Sequence, residues 1–490
     1  GGAGFPAHVK LNCTVEYLIV NAAECEPLLR TDRWLMIHKA KEIVAAAGMI
    51  GDMVQAGKRY IALKETYSEE IASLEAAIKD LGSSVRLYRI KNFYPAGDEQ
   101  IMVCDITGRT VPPSGIPLDV GAVVSNLATV YSIFNAAQGQ PFTDKYLTVT
   151  GAVGGPCIVR APLGTPFTEC LSLAGGSPLS SYHVIAGGPM MGKCYDMKEA
   201  AGLTVTKTTS GYIIVADDTP LVKQHYIPVS VTLKRAKMCC IQCSCCTQMC
   251  PRYLTGHPIK PHMIMRRLAY AQSPQDVLED EHVKQAMICS ECGLCETYAC
   301  PMGLQPRQVN IYIKNLLRQN MYRYQKPSGT FTQLEERNWR KAPSKRMAIR
   351  LGVDPYYDYH IDRLVTAEPD FVRISLRQHI GAPNVPKVQP GAKVARLSYH
   401  IAKTTAEFSL AEIHLDTGRH HQIRVQMAHL GCPIAGDRKY DPNQTSFSQL
   451  QLFACRLEFA HPKTKKHMEF THAPVLRVFA DETPADHPVG

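Results

Sequence analysis

Two short cysteine runs constrain this chain more than anything else in it. The first reads Cys240-x2-Cys243-x2-Cys246-x3-Cys250-Pro251 and the second Cys289-x2-Cys292-x2-Cys295-x4-Cys300-Pro301. Three thiolates at successive two-residue gaps lie on one tight loop and can grip three irons of a single cube. The fourth, followed by proline, opens toward a helix. In two-cluster ferredoxins that fourth cysteine ligates the other cube. The spacing therefore predicts one [4Fe–4S] cluster on Cys240, Cys243, Cys246 and Cys300, and a second on Cys289, Cys292, Cys295 and Cys250. The extra residue before Cys300 is a displacement that this pairing has to absorb. Zinc also takes four thiolates, but usually through two separated C-x2-C knuckles, so the doubled pattern favours iron–sulfur.

The rest of the chain is consistent with such a core. Residues 259–288 carry helical periodicity (Ile264, Leu268, Ala269, then Val277, Val283, Ala286, Met287) and predict a helical spacer that folds the two runs together. Cys239 and Cys245 fall outside the spacing and read as non-ligands. The isolated cysteines at 13, 25, 104, 157, 170, 194, 432 and 455 read as buried small side chains. Clustered cysteines in a long chain with no signal-peptide pattern point to metal binding in a reducing, cytoplasmic compartment. A length of 490 residues implies several domains. No run of 18 apolar residues suggests a membrane span. The net charge of +10 suits an anionic partner: nucleotide phosphates, nucleic acid or an acidic protein. The opening residues have neither Met nor a basic leader and read as a chain whose beginning is missing.

The amino-terminal third reads as α/β. Gly1-Gly2-Ala3-Gly4-Phe5-Pro6 is a glycine-rich loop whose backbone N–H groups can approach a phosphate, and Lys10 can pair with one. Tyr17–Val20 reads as a buried strand ending in the polar loop Asn21-Ala22-Ala23-Glu24-Cys25-Glu26-Pro27. That is the strand end where α/β sheets bind ligands. A helix over 34–48, a strand over 60–64 and a helix over 68–80 follow.

These residues resemble a family. The opening GGAGFPAHVKL, then YLIVNAAECEP, Tyr94–Gln100 and Val124–Thr129, taken in order, resemble the flavoprotein subunit of respiratory complex I. They resemble still more closely the RnfC component of the Rnf complex and the cobalamin reductase of propanediol-utilisation microcompartments. The resemblance runs over 1–394. It implies FMN held by Gly1, Gly2, Gly4, Lys10, Asn21, Gly97, Asp98, Glu99 and Asn126. It implies NADH near Phe5, with Glu24 and Glu26 as catalytic residues on the NADH side. The acceptor would be a protein or a corrinoid. The site would be a microcompartment or the inner face of a membrane, as a peripheral member of a membrane complex. The implied fold is multidomain α/β and α+β. It has a flavoprotein-like α/β domain (1–140), a soluble-ligand-binding β-grasp domain (SLBB, 141–200), a helical ferredoxin-like domain (225–330), and a linker with a partial sandwich (331–394). Gly187-Gly188-Pro189-Met190-Met191-Gly192 reads as a turn.

From 395 the resemblance changes. Asp416–Val425, Gly431–Tyr440 and Leu457–Pro462 resemble the RluA family of RNA pseudouridine synthases, a mixed β-rich fold. This implies catalytic remnants at Arg424 and Tyr440, and RNA as a partner. The family's nucleophilic Asp is missing upstream, where Asp362-Arg363-Leu364-Val365 stands, so Arg424 is expected to lack its carboxylate and the module to be catalytically silent. Two truncated families in one chain suggest a chimeric reading frame rather than a bifunctional protein.

Overall fold

The computed structural model describes residues 5–327, 329–367, 397–404, 409–415, 421–429, 432–437, 439–440, 450–460 and 466–471. The chain divides into two compact units, residues 1–377 and 378–490.

The first unit opens with a four-stranded parallel sheet: β1 (Tyr17–Asn21), β2 (Lys58–Lys64), β3 (Arg86–Ile90) and β4 (Ala122–Asn126), in the order β3-β2-β1-β4. The unbroken apolar run in β1 follows from burial of both sheet faces. Leu18 and Val20 join a core with Ile43, Val44 and Leu74. Ile19 points the other way, into a core with Ile101, Met102 and Val124. The sequence reading of one helix over 34–48 becomes two, Thr31–His38 and Ala40–Met53, broken at Lys39. Helix Ser68–Asp80 has the expected limits. Asp98 caps helix Glu99–Thr107 by accepting from Gln100 N and Ile101 N. Because β2 and β3 are added on one side of β1 and β4 on the other, the strand order switches between β1 and β4, the position where such sheets form a crevice at the strands' carboxyl ends.

A six-stranded mixed sheet follows, with β5 (Asp144–Gly151), β6 (Cys157–Pro162), β7 (His183–Ala186), β8 (Lys193–Asp196), β9 (Gly211–Val215) and β10 (Leu364–Thr366) in the order β10-β6-β5-β9-β7-β8. The β-grasp region expected to stop at 200 therefore extends to its fully buried strand β9. It also takes an edge strand from the segment expected to be a linker. That segment is no linker as far as it is described: helix Ser344–Leu351 buries Met347, Ala348 and Leu351 in a core with Leu28 and Tyr94. Asp362-Arg363 abuts β10, where His38 bonds Asp362 at 2.6 Å.

The helical region packs Val229–Cys239, Pro261–Tyr270 and Pro306–Gln319 around Ile264, Leu268, Val309 and Ile313. Proline at the first position suits the last two, since that N–H has no helical partner. The helical spacer between the cysteine runs is a broken one: after Tyr270 it continues as short turns Pro274–Val277, Glu281–Lys284 and Gln285–Ile288.

In the second unit, β11 (Leu397–Thr404) and β12 (Ser409–Leu415) form one antiparallel pair. The strands β13 (Arg456–Ala460) and β14 (His467–Thr471) form another, and Gln422–His429 is a helix. Residues 368–396, including the expected sandwich segment, lie outside the described residues.

Candidate functional site

The cysteine runs wind alike. Gln242 and Ser244 have positive φ (54° and 57°), and so do their counterparts Glu291 and Gly293 (60° and 80°). Each loop thus turns left-handed just before and just after its second cysteine. Three of these four residues are not glycine and carry a conformational cost. The loops interleave. Cys240, Cys243, Cys246 and Cys300 line one cavity with Met265 and Pro301. Cys250 lies within electrostatic reach of Cys292 and Cys289, and Cys295 of the same two. The extra residue before Cys300 is absorbed by a π-helical turn, Cys295–Ala299, in which Cys300 N donates to Cys295 O at 3.1 Å. Cys300 thereby stays with the first run.

The thiol sets fit iron–sulfur clusters chemically. Burial, with neighbouring thiols adding to it, pushes Cys246 up to about 12. Burial also takes Cys292 to about 11 and Cys250 and Cys295 well above the usual thiol range. Such thiols hold their protons unless cations replace them. A cube spreads its ligands over four corners. Among the described residues no three His, Cys, Asp or Glu side chains converge to hold a single ion. Glu291 N and Asn310 Nδ2 donate to Cys289 Sγ at 3.4 and 3.5 Å, and Leu304 N to Cys300 Sγ at 3.4 Å. Hydrogen bonds to sulfur of this kind tune cluster potentials. Cys245 bonds the Cys243 carbonyl and Cys239 is exposed.

The expected flavin loops meet at the β1/β4 crevice. Asn21 and Asn126 are register partners at the carboxyl ends of their strands. Asn21 Nδ2 donates to Gly97 O at 2.8 Å, and Gly97 packs so tightly on Cys25 that an added Cβ would lie 3.0 Å from its sulfur. Asn126 Nδ2 donates to Asp32 at 3.1 Å, while its Oδ1 is buried with no hydrogen-bond partner among the described residues, an acceptor that a bound cofactor could use. Lys10 and Glu99 pair with each other at 2.7 Å. Phe5 is exposed, and Gly1, Gly2 and Gly4 lie outside the described residues.

The acids separate. Glu24, at φ +28°, accepts from Asp32 N at 2.9 Å. Burial, and then Asp32, push its carboxyl up to about 8. Glu26 is not in the crevice loop's open face: it packs over Gly188 and accepts from Met190 N at 2.9 Å, and burial raises it to about 7. The 187–192 stretch, read as a mere turn, is a junction. Met190 N meets Glu26 of the first domain, and Met190 O accepts from Arg307 of the helical region at 2.5 Å. Asp98, expected to face cofactor, is committed instead to Arg252, whose guanidinium takes it bidentately at 2.6 and 2.8 Å. Tyr94 Oη donates to Cys292 O at 2.6 Å, fully buried. Sequence reasoning missed Arg252 and Arg307, and it named Tyr94 only as the start of the Tyr94–Gln100 motif, with no tie to the cysteines. The only signal for Arg252 is its place directly after Cys250-Pro251.

The raised Glu24 carboxyl gives a pH prediction. Its folded-state value lies above the ordinary 4.5, so its contribution to stability is full in acid and is lost as pH rises from about 4.5 to about 8. Lys64, which burial lowers to about 8, acts in the opposite sense only above that pH. Glu24→Gln is expected to flatten the decline, leaving the variant more stable on the alkaline side by a few kcal/mol at most. Thermal melts across this window check it; parallel curves for the two proteins would refute it.

In the second unit Arg424 does have a carboxylate, contrary to expectation. Asp437, fully buried, takes it at 2.6 and 2.8 Å. Burial alone would raise Asp437, but Arg424 and the N–H groups of Lys439 and Tyr440 outweigh it and hold the carboxyl low. Tyr440 Oη bonds His421 at 2.9 Å.

Comparison with known proteins agrees with this geometry. Residues 1–135 match the Nuo51 FMN-binding domain, 146–193 the SLBB domain, and 239–305 the 4Fe-4S dicluster domain. The cobalamin reductase PduS of Salmonella typhimurium is 39% identical over 401 residues, covering 81% of this chain and 85% of that protein. PduS of Citrobacter freundii is 38% identical over the same shares. A component of the Na(+)-translocating ferredoxin:NAD(+) oxidoreductase complex of Acetobacterium woodii is 33% identical over 52% of this chain and 55% of its own. An FMN-binding domain and a 4Fe-4S dicluster domain in one chain make an electron-transfer oxidoreductase, and the chain belongs to the cobalamin reductase PduS family.

Proposed function

We propose that the chain takes electrons from NADH at an FMN seated in the β1/β4 crevice and passes them outward through two [4Fe–4S] clusters in a fixed order. The inner cluster is held by Cys250, Cys289, Cys292 and Cys295, the outer by Cys240, Cys243, Cys246 and Cys300. One observation carries the order: the flavin loop is bonded directly to the inner cysteine loop, through Tyr94 to Cys292 O and through Asp98 to Arg252. Cys250, Cys292 and Cys295 are buried, whereas Cys243 is exposed. Bound FMN converts a two-electron hydride donor into single electrons, which iron–sulfur clusters carry. The chain's own residues do the positioning. Asn126 offers its amide oxygen in the crevice, Asn21 braces the loops by bonding Gly97 and Ala23, Lys10 and Glu99 pair beside it, and Glu24 holds a proton near neutrality at its edge. The names of the relatives favour a corrinoid or a member of an ion-translocating complex as acceptor. Among the described residues no helix is long and apolar enough to cross a membrane. A place in a microcompartment or against a membrane complex fits the same relatives. RNA modification by 395–490 is not part of this reading, because the arginine that would pair with a nucleophilic Asp is already bonded to Asp437.

The reading is tested on anaerobically reconstituted protein, which should hold about eight irons and eight sulfides. Cys239→Ala and Cys245→Ala should keep all of them. After NADH addition, Cys243→Ala should still show one reducible cluster by electron paramagnetic resonance. Cys292→Ala should show its remaining cluster left oxidised. The reverse result would invert the order, and zinc without labile sulfide would overturn the cluster assignment.

A further inference from the structure

Residues 219–275 contain eight Lys and Arg and not a single Asp or Glu. Among the described residues only two of the eight meet a carboxylate: Arg252 with Asp98, and Arg267 with Asp280. This stretch carries three cysteines of the outer set. Helix Val229–Cys239 runs straight into Cys240 and leaves Lys234, Arg235 and Lys237 exposed. Between them and the cysteines stand bare apolar side chains: Met238 is 86% exposed and Ile241, between the first two cysteines, 64%. Exposed apolar side chains beside cations that meet no carboxylate are the composition of a surface that docks an anionic partner, the apolar residues supplying contact and the charges steering encounter. Methionine adapts to different partner shapes.

We propose that this rim is the docking surface for an acidic one-electron carrier protein, which receives its electron from the outer cluster. The proposal rests on the reading that Cys240, Cys243, Cys246 and Cys300 hold that cluster. In the step, the outer cluster loses one electron and the carrier's centre gains it; no bond forms or breaks and no proton moves. The carrier, rather than a bilayer, is favoured because the apolar residues are few and interrupted by cations, too small a face to insert.

The test uses full-length reconstituted protein reduced with dithionite and mixed rapidly with rubredoxin, a small acidic one-electron carrier, or with cytochrome c, a basic one. With wild type, the second-order rate for rubredoxin should fall as salt is added. In the triple variant Lys234→Glu, Arg235→Glu, Lys237→Glu it should drop about tenfold or more and lose that salt dependence, while cytochrome c is reduced faster. Met238→Ser should slow rubredoxin without changing the salt slope. These positions are exposed, and unchanged iron content and visible spectrum verify folding. Wild-type rates for both carriers in the triple variant would overturn the proposal. So would loss of binding to phosphatidylglycerol vesicles in that variant with rubredoxin reduction unaffected, which would assign the rim to a membrane. Because dithionite bypasses the flavin, failure of NADH to reduce the clusters would refute the donor reading alone. Absence of cluster signals after reconstitution would refute the cluster reading instead.

Discussion

Replacing Arg252 with alanine is expected to cost about 3–5 kcal/mol of stability, the range for removing one partner of a buried ion pair. Arg252 and Asp98 are each only 11% exposed. The variant leaves a carboxylate buried without its counter-charge, on a residue that also caps helix Glu99–Thr107. The functional loss should be larger still, because the flavin loop and the inner cysteine loop are then tied mainly through Tyr94. Arg252→Lys keeps the charge but not the fork, and should recover only part of the loss. Removing both charges, as in Asp98→Asn with Arg252→Met, should be less damaging than removing one. Denaturant unfolding, with NADH-driven cluster reduction on the same samples, checks this. A loss under about 1 kcal/mol would class the pair with ordinary surface ion pairs and defeat the argument.

Gly256→Ala should be comparably severe for a different reason. Gly256 has φ +90°, and an added Cβ would meet the backbone carbonyl of Thr332. Beside it Leu334 N donates to Leu254 O at 2.9 Å, where the 331–343 segment lies along the short helix after Cys250. That segment also gives Ala342 O to Tyr94 N at 2.8 Å. Strain plus a backbone clash predicts about 3 kcal/mol or more. Gly82→Ala, at φ +55° with open space around it, isolates the conformational part and should cost about 1 kcal/mol. Equal unfolding midpoints for the two variants would show that the approach to Thr332 is not the cause.

The elements legible in the sequence are those whose signal is local. Strand β1 and helix Ser68–Asp80 have continuous or periodic apolar residues, and the cysteine spacing carries its own geometry. The break at Lys39 has no Pro or Gly to announce it. Strand β10 joins a sheet whose nearest neighbour in space, β6, is some two hundred residues earlier in sequence, and no periodicity reports that pairing. The coupling of Arg252 to Asp98 spans 154 positions. The resemblance implies Glu26 beside NADH and Asp98 beside FMN, but their partners, Met190 and Arg252, come from other domains that a loop motif does not describe. The upstream sequence predicts no carboxylate for Arg424, and its partner, Asp437, lies downstream in a neighbouring motif.

The interleaving of the two thiol sets bears on how the metal centres are built. Each set takes three thiols from one run and the fourth from the other, with Cys250 and Cys289 separated by a long intervening stretch. Closing that stretch into a loop carries an entropic cost, and it is met once. Whichever cube assembles first brings the runs together and leaves the second site already gathered. Maturation should then be cooperative: half-loaded molecules stay scarce, and an iron titration rises sigmoidally toward the fully loaded form.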